Sequence, residues 1–250
     1  MFTRVFLILR HPIASLKKLS GRLLWQISIP ISLQSNDKVH VDLGSGNVPR
    51  NPFGASKVFG TDFHSDFISK EGFSFVQVDL TKKLPFEDSS LDSLSAYDVL
   101  EHIPRWERVD GKIVFPFINL MTEIHRCLKP GGIFLAVTPA FPSPAAFQDP
   151  THVNIISTVT IKYFTNPSPW AANLEYGFAG SFDLVCQTWL RGNAVLSAQA
   201  EPSDLLESGT VSKIKFFLLP ANVRLLAQIL MKVIFKKPTH LLWVLSKPVS

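Results

Sequence analysis

The chain has only two cysteines, Cys127 and Cys186, among 250 residues. Two cannot build a disulfide framework or a cysteine-based zinc site, so a reducing compartment is expected. Charge is sparse as well: 18% of residues are charged against 46% hydrophobic, with a mean hydropathy of +0.19. That balance excludes a disordered chain and a solvated coiled coil. No apolar run reaches the roughly 18–20 residues that span a bilayer. Residues 5–9 form a short apolar run, too short for a secretory signal core and followed by no small-residue cleavage site. A cytoplasmic location is therefore expected. None of the seven histidines (His11, His40, His64, His102, His125, His152, His240) pairs with another at a ligand spacing, so no metal is expected.

Acidic residues are missing from both ends. Five Lys/Arg and no acid precede Asp37; seven Lys/Arg and no acid follow Glu207. Residues 37–207 keep 13 basic against 20 acidic residues, a net of −7 beneath an overall +5. The ends are also greasy. Basic, apolar ends on an acidic globule argue against nucleic acid and suit an anionic membrane surface. Residues 1–36 read as a basic apolar helical extension, with Leu16, Leu19, Leu23 and Leu24 at helical spacing. Within 211–238 an amphipathic helix is expected, with Arg224, Gln228, Lys232 and Lys236 forming a thin polar stripe. It either packs on the domain or, with residues 1–24, dips into the membrane interface.

Residues 37–250 then read as one α/β domain. Short apolar runs at 39–43, 58–61, 75–78, 91–96, 133–137, 182–190 and 241–245 predict strands, and 113–128 predicts a helix with Pro116 in its first turn. Lys129-Pro130-Gly131-Gly132 reads as a turn. Strands of this kind imply a mostly parallel sheet covered on both faces, which binds ligands beyond the carboxyl ends of its strands. Asp42, Gly44, Asp62, Asp79, Asp98 and Glu101 gather at those ends. Residues 139–180, rich in Pro, Ser, Asn and aromatics, are expected to form a substrate loop or lid.

Glycine after a buried strand lets the chain turn sharply and lets a ligand approach closely. Here an acid, Asp42, precedes the first glycine, and Asp62 ends the next strand, where a carboxylate can accept both ribose hydroxyls. A dinucleotide-binding dehydrogenase would need a helix after the turn to carry a pyrophosphate. The segment Pro49-Arg50-Asn51-Pro52 opposes that helix, and an acid beside the turn would repel the phosphates.

In order along the chain stand VDLGSGN (41–47), the Asp62 strand end, VQVDLTKKLPFEDSSLDSLSAYDVLEHI (76–103) and RCLKPGGIFLAVTP (126–139). This series resembles the class I S-adenosylmethionine-dependent methyltransferases, in particular the type 11 small-molecule group. The resemblance implies a Rossmann-like, mostly parallel seven-stranded sheet with helices on both faces. It also implies S-adenosylmethionine as cofactor, with Asp42, Gly44, Ser45 and Gly46 around its methionine and ribose. Asp62 would hold the ribose hydroxyls, Asp79 and Leu80 the adenine, and Tyr97 and Asp98 the methionine end. Val48-Pro49 stands where many relatives carry a third glycine, which implies an altered turn.

The segment Asp149-Pro150-Thr151-His152 resembles one in methyltransferases of polysaccharide and lipopolysaccharide gene clusters. That implies O-methylation of a sugar, glycan or glycolipid, with His152 and His102 as candidate bases and Asp149 orienting His152 or binding a sugar hydroxyl. Alternatives are a lipid or quinone-like acceptor, or an inactive cofactor-binding scaffold. Phe141, Phe147, Tyr163, Phe164 and Trp170 are candidate pocket walls.

Overall fold

The computed structural model describes residues 37–64, 72–190 and 239–249. The helices expected within 1–36 and 211–238 lie outside the described residues.

Seven strands form one sheet: β1 (Val39–Leu43), β2 (Lys57–Asp62), β3 (Ser74–Gln77), β4 (Leu91–Tyr97), β7 (Leu128–Pro139), β8 (Asp183–Leu190) and β9 (His240–Ser246). Their order is β3-β2-β1-β4-β7-β9-β8. β1 to β4 and β7 run parallel, and β9 alone is reversed, antiparallel to both β7 and β8. This is the mostly parallel seven-stranded sheet expected from the sequence.

The central strand explains why its sequence is apolar without alternation. Phe134, Leu135, Ala136 and Val137 of β7 are all fully buried. Phe134 and Ala136 face one core with Leu94, Leu120 and Ile124, while Leu135 and Val137 face a second core with Phe53, Leu242 and Val244. Side chains alternate across the pleat, so both faces of a doubly covered strand must be apolar.

Helix α1 (Pro116–Cys127) covers one face. Proline at its first turn costs no hydrogen bond there. Phe117, Leu120, Met121, Ile124 and Cys127 recur on one stripe and are buried. Arg126 ties the last turn of α1 to the loop before β4: its guanidinium bonds Glu123 at 2.6 Å, Asp88 at 2.7 Å and the carbonyls of Phe86 and Leu84.

Two local expectations change. Residues 112–114 are strand: β5 (Glu107–Val109) and β6 (Lys112–Val114) form a hairpin, and the helix starts at Pro116. The hairpin turns at Asp110-Gly111, both at positive φ, the pairing that two-residue turns favour. The stretch 129–132 is not a free turn but part of β7, accommodated by a register shift opposite Leu91 and Ser93. As the segment Pro49-Arg50-Asn51-Pro52 implies, residues 44–56 between β1 and β2 hold no helix. Pro49 and Pro52 each push the preceding residue out of the helical region. Asn51 then closes the loop instead, its side chain bonding both the N–H and the carbonyl of Ala55.

Residues 140–182 are irregular, as expected. They contain short 3-10 turns at Pro144–Ala146 and Thr160–Tyr163 and one four-residue helix, α2 (Trp170–Asn173).

Candidate active site

The carboxyl ends of β3, β2, β1 and β4 lie side by side, and every residue proposed to hold the cofactor sits on them or within three positions beyond. At the end of β1 the chain reverses through Gly44 and Gly46, with φ of 61° and 59°. A Cβ on Gly44 would stand 2.5 Å from Val99 Cγ2. Glycine is therefore required at 44 twice over, by backbone conformation and by the close approach of the β4 loop. Ser45 N–H donates to the Thr61 carbonyl at 2.8 Å, and Gly46 N–H to Asp62 Oδ2 at 3.1 Å. Asp62 thus braces the glycine turn while its Oδ1 accepts the His64 N–H.

Asp42 is fully buried, and both its oxygens are engaged from below the turn. Oδ1 accepts Ser95 Oγ–H at 2.5 Å and Oδ2 accepts the Arg50 N–H at 2.8 Å. Its carboxylate holds the loop in shape rather than lining it. Since Ser95 donates to Asp42, its Oγ accepts from His40 Nε2–H at 3.0 Å, and His40 Nδ1 accepts from Ser93 Oγ–H at 2.8 Å. Burial drives His40 down to about 3 and Asp42 up to about 6, the latter opposed by the bonds from Ser95 and Arg50. The sequence reading missed His40 and Ser95; their strand alternation hid them as ordinary positions.

The remaining cofactor candidates are distributed as follows. Asp79 accepts both the N–H and the hydroxyl of Thr81. Burial raises the Asp79 carboxyl, but these two bonds outweigh it and hold the group below the usual carboxylate range. Leu80 packs half-buried against the core. Tyr97 is buried, with the Arg50 guanidinium 4.2 Å above its ring. Asp98 adopts φ of 55° and meets His240 Nε2 at 3.2 Å.

The candidate bases form a second group, one turn beyond β4. His102 ends the 3-10 turn Leu100–His102, and the segment carrying His152 docks onto that turn. The Glu101 carbonyl accepts the N–H groups of Val153 and Asn154, each at 2.9 Å, and Asn154 Nδ2 donates to the Leu100 carbonyl. The imidazole rings of His102 and His152 meet edge to face at 4.9 Å.

Hydrogen bonding settles both tautomers. His152 Nδ1 lies 3.2 Å from the Ala146 carbonyl, which can only accept. Thr151 Oγ–H donates to Asp149 Oδ1 at 2.6 Å and so accepts from His102 Nδ1–H at 3.0 Å. Both Nδ1 atoms carry hydrogen, leaving both Nε2 lone pairs free to act. Asp149, held below its usual range by the Thr151 hydroxyl and N–H, therefore orients His102 through Thr151. The Asp149 carboxylate bonds Thr151 rather than the His152 ring.

Glu101, noted from sequence only as a polar strand-end residue, completes this group. It is 1% exposed, with Oε2 accepting Thr138 Oγ–H at 2.9 Å and Oε1 standing 3.9 Å from His152 Nε2. Burial pushes it up to about 8, and Asp98 and Asp149 add to the shift against the bond from Thr138.

Beside this group lies a cavity of about 280 Å³, walled by Arg105, Trp106, Phe115, Asn154, Tyr163 and Tyr176. Asn154 belongs to both, two residues after His152. Of the expected pocket aromatics, Tyr163 and Phe164 line the cavity, and Trp170 packs edge-on against Tyr163. Phe141 and Phe147 lie outside it, paired with each other and more than half exposed.

Residues 41–136 match a protein-family model described as a methyltransferase domain. No curated protein matches the chain. Among solved structures, a chain of the complex between the Haloferax volcanii Trm112 methyltransferase activator and a methyltransferase superposes with a TM-score of 0.51. It shares 16% identity, over 92% of this chain and 89% of that one. An S-adenosylmethionine-dependent methyltransferase from Archaeoglobus fulgidus reaches 0.49 at 16% identity, covering 99% of this chain and 100% of that one. Residues 41–136 thus match a methyltransferase domain, and the sheet has the Rossmann-like α/β fold of such enzymes; S-adenosylmethionine is the cofactor the sequence leads one to expect. The acidic strand ends suit that group: Asp62 and Asp79 offer hydroxyl and amine acceptors, and Asp42 places a negative charge beneath a cationic ligand.

Proposed function

We infer that the protein transfers the methyl group of S-adenosylmethionine to a hydroxyl of a sugar, glycan or glycolipid intermediate. The observation that carries this reading is the convergence of His102, His152 and Glu101 at the edge of the cofactor loops. The Nε2 of His152 stands 3.9 Å from the buried Glu101 carboxyl, and the His102 ring packs against that of His152. A sulfonium methyl is already activated, so the protein must chiefly align the nucleophile, exclude water and receive its proton. In the reaction the acceptor oxygen forms a bond to the methyl carbon and the carbon–sulfur bond breaks. The hydroxyl proton passes to a ring nitrogen of the cluster, and S-adenosylhomocysteine leaves.

The sugar assignment rests on the Asp149–His152 segment and on the aromatic cavity, since sugar faces pack on aromatic rings. The same cavity supports a second reading, a lipid or quinone-like acceptor, because Trp106, Phe115, Tyr163 and Tyr176 give it a predominantly apolar wall. Arg105 at its rim suits an acceptor that carries an anionic group. Incubating the protein with radiolabelled S-adenosylmethionine and separate glycolipid and quinone-precursor fractions tests the two. Label in an alkali-stable ether of the glycan supports the first; label confined to the quinone fraction supports the second; S-adenosylhomocysteine binding with no transfer to either leaves the scaffold reading.

Among the described residues no helix is long and apolar enough to cross a membrane. The acid-free segments 1–24 and 211–238 support cytoplasmic, peripheral attachment to an anionic surface, where a glycolipid acceptor would be found. Co-sedimentation with anionic liposomes, weakened by salt and by removal of residues 1–24, is the expected result; no binding at low salt rejects attachment.

A further inference from the structure

The cluster at His102 and His152 has the composition and wiring of a metal centre as well as of a base. We propose that Glu101, His102 and His152 bind one divalent transition-metal ion, with Zn²⁺ as the reference ion, and leave its outward positions open to an oxygen of the acceptor.

Three observations carry this. One ligand atom from each of the three residues can be chosen so that all lie within 4.8 Å of one another. The orientation of each ring is set from behind: His152 Nδ1–H by the Ala146 carbonyl, His102 Nδ1–H by the Thr151 hydroxyl that Asp149 in turn holds. Metal-binding histidines are typically fixed in this way, with the second nitrogen on a carbonyl or a carboxylate-linked group. Finally, Glu101 Oε1 is buried, has no hydrogen-bond partner and faces His152 Nε2 at 3.9 Å, while Thr138 secures its other oxygen. A buried oxygen without a partner is costly unless something binds it.

Two imidazoles and one carboxylate suit Zn²⁺ with an open fourth position, or Fe²⁺ with more than one. Ligands roughly 2.0–2.2 Å from a tetrahedral ion stand about 3.4 Å apart. The 3.9 Å pair closes by about half an ångström, within reach of side-chain torsions. His102 is exposed, so the group opens toward solvent on one side. Sequence spacing conceals the set because the lid segment carries one histidine to the other from far along the chain.

The ion's catalytic role rests on the methyl-acceptor reading above; its binding does not. With an ion bound, the ring nitrogens would no longer receive the proton; the ion would instead make the acceptor hydroxyl more acidic, and its proton would leave to solvent on the exposed His102 side. The test uses full-length protein stripped with EDTA and titrated with Zn²⁺ by calorimetry, and with Co²⁺ by visible absorption. One ion per chain is expected, with tetrahedral or five-coordinate Co²⁺ bands. Glu101→Gln and His102→Ala should each weaken binding at least tenfold, and Asp149→Asn by a few-fold. S-adenosylhomocysteine binding to each variant reports an intact fold; His102 is exposed, so its variant is the decisive one. No saturable Zn²⁺ binding, or equal binding by His102→Ala, overturns the proposal. Zn²⁺ binding without S-adenosylhomocysteine binding would instead overturn the methyltransferase reading and leave the metal site standing.

Discussion

The rings of His102 and His152 meet edge to face at 4.9 Å, each with its Nδ1–H held by a neighbouring oxygen. One residue ends a turn after β4; the other rides on the lid. Their meeting depends on the Glu101 carbonyl, which takes two backbone N–H bonds from the segment that follows His152.

Replacing both histidines by glutamine should therefore remove proton transfer without touching the cofactor loops. General-base loss costs about 10²–10⁴-fold in rate. Turnover, read as S-adenosylhomocysteine release with the acceptor, is expected to fall at least about 100-fold in the double variant. The dissociation constant for S-adenosylhomocysteine is expected to stay within a factor of two or so of the wild type. Near-normal turnover would remove both histidines from the chemistry.

Gly44→Ala places a Cβ at φ 61° and 2.5 Å from Val99 Cγ2. The left-handed conformation alone costs roughly 1–2 kcal/mol for a non-glycine residue, and the overlap adds to it. A lower melting temperature and weaker S-adenosylhomocysteine binding are expected. Adding Val99→Ala should restore part of the stability, because only the conformational cost then remains. Full restoration would show that the backbone angle is not constrained there.

These two predictions differ in how visible their residues were beforehand. Gly44, Asp62 and the seven strands could be read from the sequence, because short apolar runs and strand-end chemistry are local. The missing helix after the glycine turn was foreshadowed by Pro49 and Pro52. The Asp110-Gly111 hairpin was a local signal left unread under an apolar stretch that also fits a helix. Glu101 and the link from Asp149 to His102 were not legible, since both depend on where the 149–154 segment docks. The same is true of His40 and Ser95, whose partners lie on the neighbouring strand.

The buried pair His40 and Asp42 has a distinctive pH signature. His40, depressed to about 3 from 6.5, makes the folded state gain stability as pH rises from about 3 to 6.5, because the unfolded chain holds the extra proton. Asp42, raised to about 6 from 3.8, acts oppositely: its contribution is full below about 4 and is lost as pH rises through about 6. In Asp42→Asn the second term vanishes. Between pH 4 and 6 the variant should gain on the wild type by about 1.4 kcal/mol per unit at most, on the order of 2–3 kcal/mol in all. Urea unfolding of both proteins at pH 4, 5 and 6 measures this; a constant difference would mean that Asp42 is not held protonated.

Arg105 pins the segment behind His152, bonding Asn154 Oδ1 at 2.8 Å and the Ile155 carbonyl. Misplacing a catalytic group by about 1 Å can cost up to roughly 10²-fold. Arg105→Ala is expected to raise KM for the acceptor and lower kcat together, with S-adenosylhomocysteine affinity unchanged. Lysine lacks the two-pronged donor and should not rescue. An effect on cofactor affinity alone would place Arg105 elsewhere in the mechanism.

The most direct measurement is titration calorimetry of S-adenosylhomocysteine into the wild-type protein and Asp62→Ala. If the ends of β1, β2, β3 and β4 hold the cofactor, the wild type binds one molecule per chain and the variant binds at least tenfold more weakly, through loss of the ribose acceptor and of the brace on Gly46. Absence of binding by the wild type, or equal affinity in the two proteins, would contradict the account.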